Sequence, residues 1–218
     1  MDPVLNLFLF LVLLVSILFI ALVKSAFVGF SVSVRNANPA PWNLYEFLLL
    51  NPSKRRHNEY YRFNEEMVRS NANRFLGRFD TAILHWEESP ILDVMIERKF
   101  PENNLPERAK EEDVFQAGLY TLALSESGVS CNETQLATIY CLQDTAKRCL
   151  EGNSAFDCWR CSNGRKFLRR FKEKDVKNHL KRLDEVWYNK RRPRPSPSQL
   201  KCKSCPYGKN GRCNYSEN

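Results

Sequence analysis

The sequence reads as a mixed α/β domain carried behind an apolar helix and closed by a cysteine-bearing tail. Three observations point there. Residues 4–23 form a run without any charge, in which only Asn6 and Ser16 are polar. Beyond it, helical spacing of apolar residues alternates with short strand-like runs in the order helix, strand, strand, helix, strand, strand, helix. Five of the eight cysteines, Cys158, Cys161, Cys202, Cys205 and Cys213, then fall near the end. A chain of 218 residues, 43% hydrophobic and 12% aromatic, is long enough to bury its own core and excludes full disorder, collagen and coiled coil.

Twenty apolar residues in a helix span roughly 30 Å, the thickness of a bilayer's hydrocarbon. A cleaved signal peptide wants a positive leading segment and a shorter apolar core. Here Met1-Asp2-Pro3 precedes the run and Lys24 follows it, which predicts an uncleaved transmembrane anchor; Lys24-Ser25-Ala26 leaves cleavage as the rival. Basic residues come only after the span, at Lys24, Arg35 and Lys54-Arg55-Arg56. The positive-inside rule therefore places the body in the cytoplasm. Cysteine spacing agrees, because Cys158-x-x-Cys161 and Cys202-x-x-Cys205 favour a metal or cluster over disulfides. A secreted, disulfide-linked domain would require the cleaved form.

Residues 24–41 end in Asn38-Pro39-Ala40-Pro41 and read as a linker. Residues 42–68 are expected to be helical, broken near Asn51-Pro52, with Leu44, Phe47 and Leu48 inside. Two strands at 74–84 and 91–100 are joined by Glu87-Glu88-Ser89-Pro90. Pro106 suits the first turn of a helix running to Leu124, with Phe115, Leu119 and Leu122 on its apolar side. Strands at 135–142 and 165–171 flank a cysteine-bearing loop at 147–164. A helix at 174–190 and an extended proline-rich linker at 192–198 follow. The organisation is thus anchor 4–23, linker 24–41, globular domain 42–191, and linker with cysteine tail 192–218.

The predicted hairpin carries the chemistry. Its strands contain Gly77-Arg78-Phe79-Asp80 and Glu97-Arg98-Lys99, and alternation puts Glu97 and Lys99 on one face and Arg98 on the other. With Asp80 beside them, two hard carboxylates and an ammonium converge, a set that suits Mg²⁺ or Mn²⁺. Such a metal acidifies a bound water and neutralises phosphate charge, while Lys99 holds the water or the phosphate. A solvated cross-strand salt-bridge face gives the same letters. Asp93, four residues before Glu97, is the second-choice carboxylate.

Gly77…Asp80, Glu97-x-Lys99 and Gln116-Ala117-Gly118-Leu119-Tyr120, in that order, resemble the PD-(D/E)XK nuclease superfamily in its RecB-like branch. The resemblance covers residues 42–213. It implies a restriction-endonuclease-like core, a mixed central sheet flanked by helices. It also implies that Asp80 and Glu97 ligate the metal, that Lys99 positions water, and that Gln116 and Tyr120, four apart on one helix face, orient DNA or the lysine. His57, on a helix ahead of Asp80, would add a ligand, although Ser53 stands where the family often has glycine. His85 is expected to pack or face solvent, and His179 to be exposed.

The tail Cys202-Lys203-Ser204-Cys205, with Cys213, is similar to the cluster-binding end of the CRISPR-associated Cas-four exonucleases. There three C-terminal cysteines join an upstream one around an iron–sulfur cluster. No cysteine precedes Cys131, so the fourth ligand would come from 131–161, with Cys158 or Cys161 first. The alternative is Zn²⁺ held by Cys158, Cys161, Cys202 and Cys205 in closed tetrahedral geometry. Cys141 reads as a buried hydrophobe; Cys131 and Cys149 are given no assignment.

The net charge of +8 hides an asymmetry. Residues 160–203 hold sixteen lysines and arginines against four acidic residues, a local +12 that leaves −4 elsewhere. Such a segment neutralises phosphates, and Trp159, Phe167, Phe171, Trp187 and Tyr188 offer stacking surfaces; attraction to anionic lipid is the other reading. The expected function is a metal-dependent DNA nuclease, an exonuclease acting on single-stranded or duplex DNA ends in repair or CRISPR-type defence. Membrane and DNA-processing proteins are its further partners. The alternative is a non-catalytic, membrane-tethered nucleic-acid-binding protein with a zinc or iron–sulfur module.

Overall fold

In the computed structural model the described residues are 10–18, 33–57, 59–150, 158–159, 161–192 and 197–216. They divide after Val176 into two compact units. In the first unit the elements are β1 (Asn38–Pro39), α1 (Leu44–Leu48), β2 (Tyr61–Asn64), β3 (Met67–Ser70), β4 (Phe75–Arg78), β5 (Thr81–Trp86) and β6 (Pro90–Lys99). They continue with α2 (Glu111–Glu126), β7 (Gln135–Tyr140), α3 (Gln143–Leu150) and β8 (Arg165–Arg170).

Six strands form one mixed sheet in the order β1-β2-β5-β6-β7-β8, and β3 pairs with β4 apart from it. The predicted hairpin is present: β5 and β6 run antiparallel, turning through Glu87, Glu88 and Ser89. β6 and β7 are parallel, and α2 supplies the crossover that such a pair needs. β5 is buried at every residue, as a strand covered on both faces must be. One face is packed by Ile83, Val94, Ile96, Ala137, Ile139 and Trp159 with Val34 and Ala37. α2 covers the other face, where a Cβ on Gly118 would stand 2.7 Å from Val176 and 3.9 Å from Leu136.

Several expectations need correction. Residues 55–57 and 59–68 are not helical: after α1 and a single 3₁₀ turn at Pro52–Lys54, the chain enters β2 and β3. Pairing with β5 decides this, since Tyr61 and Phe63 are buried while Arg62 and Asn64 are less so, a period of two. The single strand expected at 74–84 is two strands, interrupted at Phe79-Asp80. The helix after Pro106 begins only at Glu111. Part of the 24–41 linker belongs to the domain, because Val34 is fully buried and Asn38 pairs with Tyr61. The cysteine-bearing loop begins inside α3, and its residues 151–157 and 160 lie outside the described residues.

The anchor expected at 4–23 lies partly outside them as well. Residues 10–18 are helical with exposed apolar side chains. Among the described residues no helix is long and apolar enough to cross a membrane. The second unit contains α4 (Glu173–Trp187) from Lys177 onward, α5 (Gln199–Ser204) and α6 (Pro206–Lys209). Residues 193–196 of the proline-rich linker lie outside the description. Ser198 caps α5 by accepting from Lys201 N–H, and a Cβ on Gly208 would stand 2.6 Å from the Cys202 carbonyl oxygen.

Candidate functional site

Sheet register brings the first two motifs together. The β5–β6 ladder ends with Thr81 opposite Ile96, which leaves Asp80, one residue earlier, beside the Glu97-Arg98 segment. Asp80 Oδ2 accepts a 2.6 Å hydrogen bond from the backbone N–H of Arg98. Glu97 and Lys99 share the face of β6 toward α2, and Lys99 Nζ donates to Glu97 Oε1 at 2.8 Å.

The third motif closes on the same ammonium. Lys99 Nζ donates to Gln116 Oε1 at 2.8 Å, and Gln116 Nε2 donates to Tyr120 Oη at 2.8 Å. The Tyr120 ring lies over Gly77, where a Cβ would stand 2.5 Å from Cε1. That contact explains the glycine: Tyr120 can occupy its place only over a residue without a side chain. Gly77, Asp80, Glu97, Lys99, Gln116 and Tyr120 thus form one linked constellation drawn from four segments.

Two further residues belong to it. Asp113, in the first turn of α2, stands with Oδ1 3.8 Å from Lys99 Nζ. Its Oδ2 accepts from Tyr140 Oη at 2.6 Å, and Tyr140 Oη in turn accepts from the Lys110 N–H at 2.9 Å. The signal for Asp113 was its position three residues before Gln116, on the same helix face. Tyr140 gave none, since it ends an otherwise apolar strand.

Electrostatics follow from burial. Glu97 is 3% exposed; burial pushes its carboxyl up to about 7, against the lowering influence of Lys99, with Asp80 and Asp113 adding to the rise. Burial works to lower Lys99, but the bond to Glu97 and the charges of Glu97, Asp113 and Asp80 outweigh it and raise its pKa. Lys99 is therefore an ammonium at neutral pH. Glu97 Oε2 is buried without a hydrogen-bond partner. A buried, unpartnered carboxylate oxygen costs stability, and beside Asp80 it fits the hard-oxygen requirement of Mg²⁺ or Mn²⁺.

Other expected residues stand elsewhere. His57 is not on a helix: it bridges Trp86, at the far end of β5 from Thr81. Five residues of strand at roughly 3.3 Å each separate those ends, so the structure does not bring His57 to Asp80. Asp93 is also away from the site, its Oδ2 2.6 Å from Nδ1 of buried His85. That bond, against burial, raises His85. His179 is exposed, as expected.

No family model matches this chain, and no curated protein does.

The cysteines are all free thiols. Cys158 and Cys161 lie in the first unit, and Cys202, Cys205 and Cys213 in the second. Among the described residues no three His, Cys, Asp or Glu side chains form a group able to hold a metal ion. Cys141 is buried as expected; burial and then the neighbouring thiols of Cys161, Cys149 and Cys158 raise its pKa. Burial pushes Cys131 up to about 12, which makes it an inert core thiol.

Proposed function

We propose that this chain is a metal-dependent deoxyribonuclease of the PD-(D/E)XK type, built on a restriction-endonuclease-like core of the RecB-like branch. One observation carries the reading: Lys99 Nζ lies 2.8 Å from both Glu97 Oε1 and Gln116 Oε1, while Asp80 accepts from the N–H of Arg98, between Glu97 and Lys99 in sequence. A salt-bridge face alone would not require the Gln116–Tyr120 link or the glycine beneath the ring.

Asp80 and Glu97 are the residues that would hold Mg²⁺ or Mn²⁺. Such an ion, when bound, supplies Lewis-acid stabilisation of phosphate charge and an acidified water. Lys99, kept cationic, orients the water or the scissile phosphate oxygen. Gln116 fixes the ammonium's direction, and Tyr120 fixes Gln116. The substrate is DNA, taken at its ends by an exonuclease in repair or CRISPR-type defence, with residues 4–23 holding the domain at the cytoplasmic membrane face. An iron–sulfur cluster on Cys202, Cys205 and Cys213 with Cys158 or Cys161, or alternatively Zn²⁺ on Cys158, Cys161, Cys202 and Cys205, completes the proposal.

The test is cleavage of end-labelled DNA by the full chain with Mg²⁺, Mn²⁺ or chelator. Divalent-dependent cleavage lost in both Glu97→Ala and Lys99→Ala is expected. Cleavage that persists in both variants would sink the site, and binding without cleavage under any metal would leave a nucleic-acid-binding protein. Iron, zinc and sulfide analysis of anaerobically prepared protein tests the cysteine proposal: iron with sulfide marks a cluster, zinc alone the alternative, and neither metal removes both.

A further inference from the structure

The β3–β4 hairpin lies directly before the site. It continues the β2–β5 ladder past Asp80: Glu65 N–H donates to the Asp80 carbonyl at 3.1 Å and Phe79 N–H to the Glu66 carbonyl at 3.2 Å. Its inner side is fixed to α2. Val68 and Ser70 are buried, and Glu126 accepts from Ser70 Oγ at 2.7 Å and from Asn73 Nδ2 at 2.6 Å. Gly77 lies beneath Tyr120. The hairpin is therefore anchored at its base, along its inner face and at its turn.

Its outer side has a different composition. Met67 pairs with Arg78, and Arg69 with Leu76, so each cross-strand pair sets one guanidinium beside one apolar side chain. All four are exposed, Leu76 at 64% and Met67 at 47%. Among the described residues neither Arg69 nor Arg78 has an ion-pair partner. Arg78 is two residues from Asp80 and Leu76 four, roughly 7 and 13 Å along an extended chain.

We propose that this outer face binds the nucleic-acid strand whose end occupies the site, Arg69 and Arg78 holding successive phosphates and Leu76 and Met67 contacting bases. The proposal rests on the nuclease reading and deepens it. A purely apolar face would suit a protein partner. The interleaving of cation and apolar group matches a polymer that alternates phosphate with base. A rigid platform also costs little ordering entropy on binding.

The experiment measures binding of a fluorescently labelled single-stranded oligodeoxynucleotide to the full chain in chelator, across a salt series. The double variant Arg69→Gln/Arg78→Gln is expected to reduce the slope of log affinity against log salt by about 1.4, two phosphates at about 0.7 each. Leu76→Ser should weaken binding several-fold with the slope unchanged. Wild-type binding and cleavage with an unaltered slope in the double variant overturns the hairpin assignment and leaves the nuclease reading intact. Absence of both DNA binding and cleavage in the wild type removes both. Phosphatidylserine vesicles form the other arm: vesicle binding that depends on Arg69 and Arg78, without a change in DNA binding, makes the partner a lipid surface and overturns the proposal.

Discussion

Lys99 and Gln116 stand seventeen residues apart in sequence and 2.8 Å apart in space, Nζ to Oε1. One residue ends β6 and the other lies in the second turn of α2, so the contact fixes how the helix returns over the sheet. Gln116 also donates to Tyr120. It is the only side chain of the three that both accepts from the ammonium and donates onward. Gln116→Ala should lower cleavage rate by roughly ten- to a hundredfold, as expected of a small misplacement at a reacting centre, while costing only about 1 kcal/mol of stability. Tyr120→Phe keeps the ring over Gly77 and should lose less activity. Steady-state cleavage and thermal melting of the two variants check that order, and a Phe variant worse than the Ala variant would contradict it.

Gly77 and Tyr120 give a prediction of opposite kind, in which adding one carbon is the damage. A Cβ at 77 would stand 2.5 Å from Tyr120 Cε1, so the ring must move. Gly77→Ala should destabilise by about 1–3 kcal/mol, the usual cost of overpacking, and lower cleavage through Gln116. Tyr120→Ala removes the clash. The double variant Gly77→Ala/Tyr120→Ala should therefore be more stable than the sum of the single effects allows. Denaturant unfolding of the four proteins measures this, and strict additivity would mean that the two residues do not share a contact.

Much of this site was legible because its residues repeat fixed short spacings: Gly77 to Asp80, Glu97 to Lys99, Gln116 to Tyr120. What was not legible depends on long-range pairing. Residues 61–68 hold apolar groups at positions that fit a helix or a strand, and only the ladder with β5 selects the strand. Asp80 was expected within a continuous strand, yet the chain breaks there because β4 leaves β5's line to pair with β3 and pack on α2. His57 was assigned from its distance in sequence, which says nothing of a bridge to Trp86. Val34 shows the same limit in the linker: its burial comes from a sheet face whose strand residues, from Ile83 on, lie more than forty residues onward.

Glu97 makes the site costly to fold. Its carboxyl stands at about 7 in the folded protein, raised mainly by burial from an ordinary value of 4.5. Between those values the folded state holds a proton that the unfolded state has released, so stability falls as pH rises through the window and stays reduced above it. Glu97→Gln removes the penalty. It should abolish cleavage and yet raise stability by about 1–3 kcal/mol at pH 8, with little gain below pH 4.5. Unfolding free energies of both proteins across pH 4–8, without divalent ions, test the sign. A gain that grows toward acid would refute it.

On the nuclease reading, Asp113 should act on cleavage through Lys99. Its Oδ1 is 3.8 Å from Nζ, its charge contributes to raising the lysine, and Tyr140 Oη holds the other oxygen at 2.6 Å. Asp113→Asn preserves an acceptor for Tyr140 and removes the charge, so Lys99 should deprotonate at lower pH. The alkaline limb of the cleavage profile should move to lower pH, with a loss at neutral pH of about tenfold or less. Tyr140→Phe is the structural counterpart. It leaves the Lys110 N–H and one Asp113 oxygen without their partner, a cost of about 1–3 kcal/mol, while the charge near Lys99 remains and the alkaline limb should hold its place. The pH profiles separate electrostatic positioning from simple support: a limb that moves in Tyr140→Phe and stays fixed in Asp113→Asn would reverse the assignment.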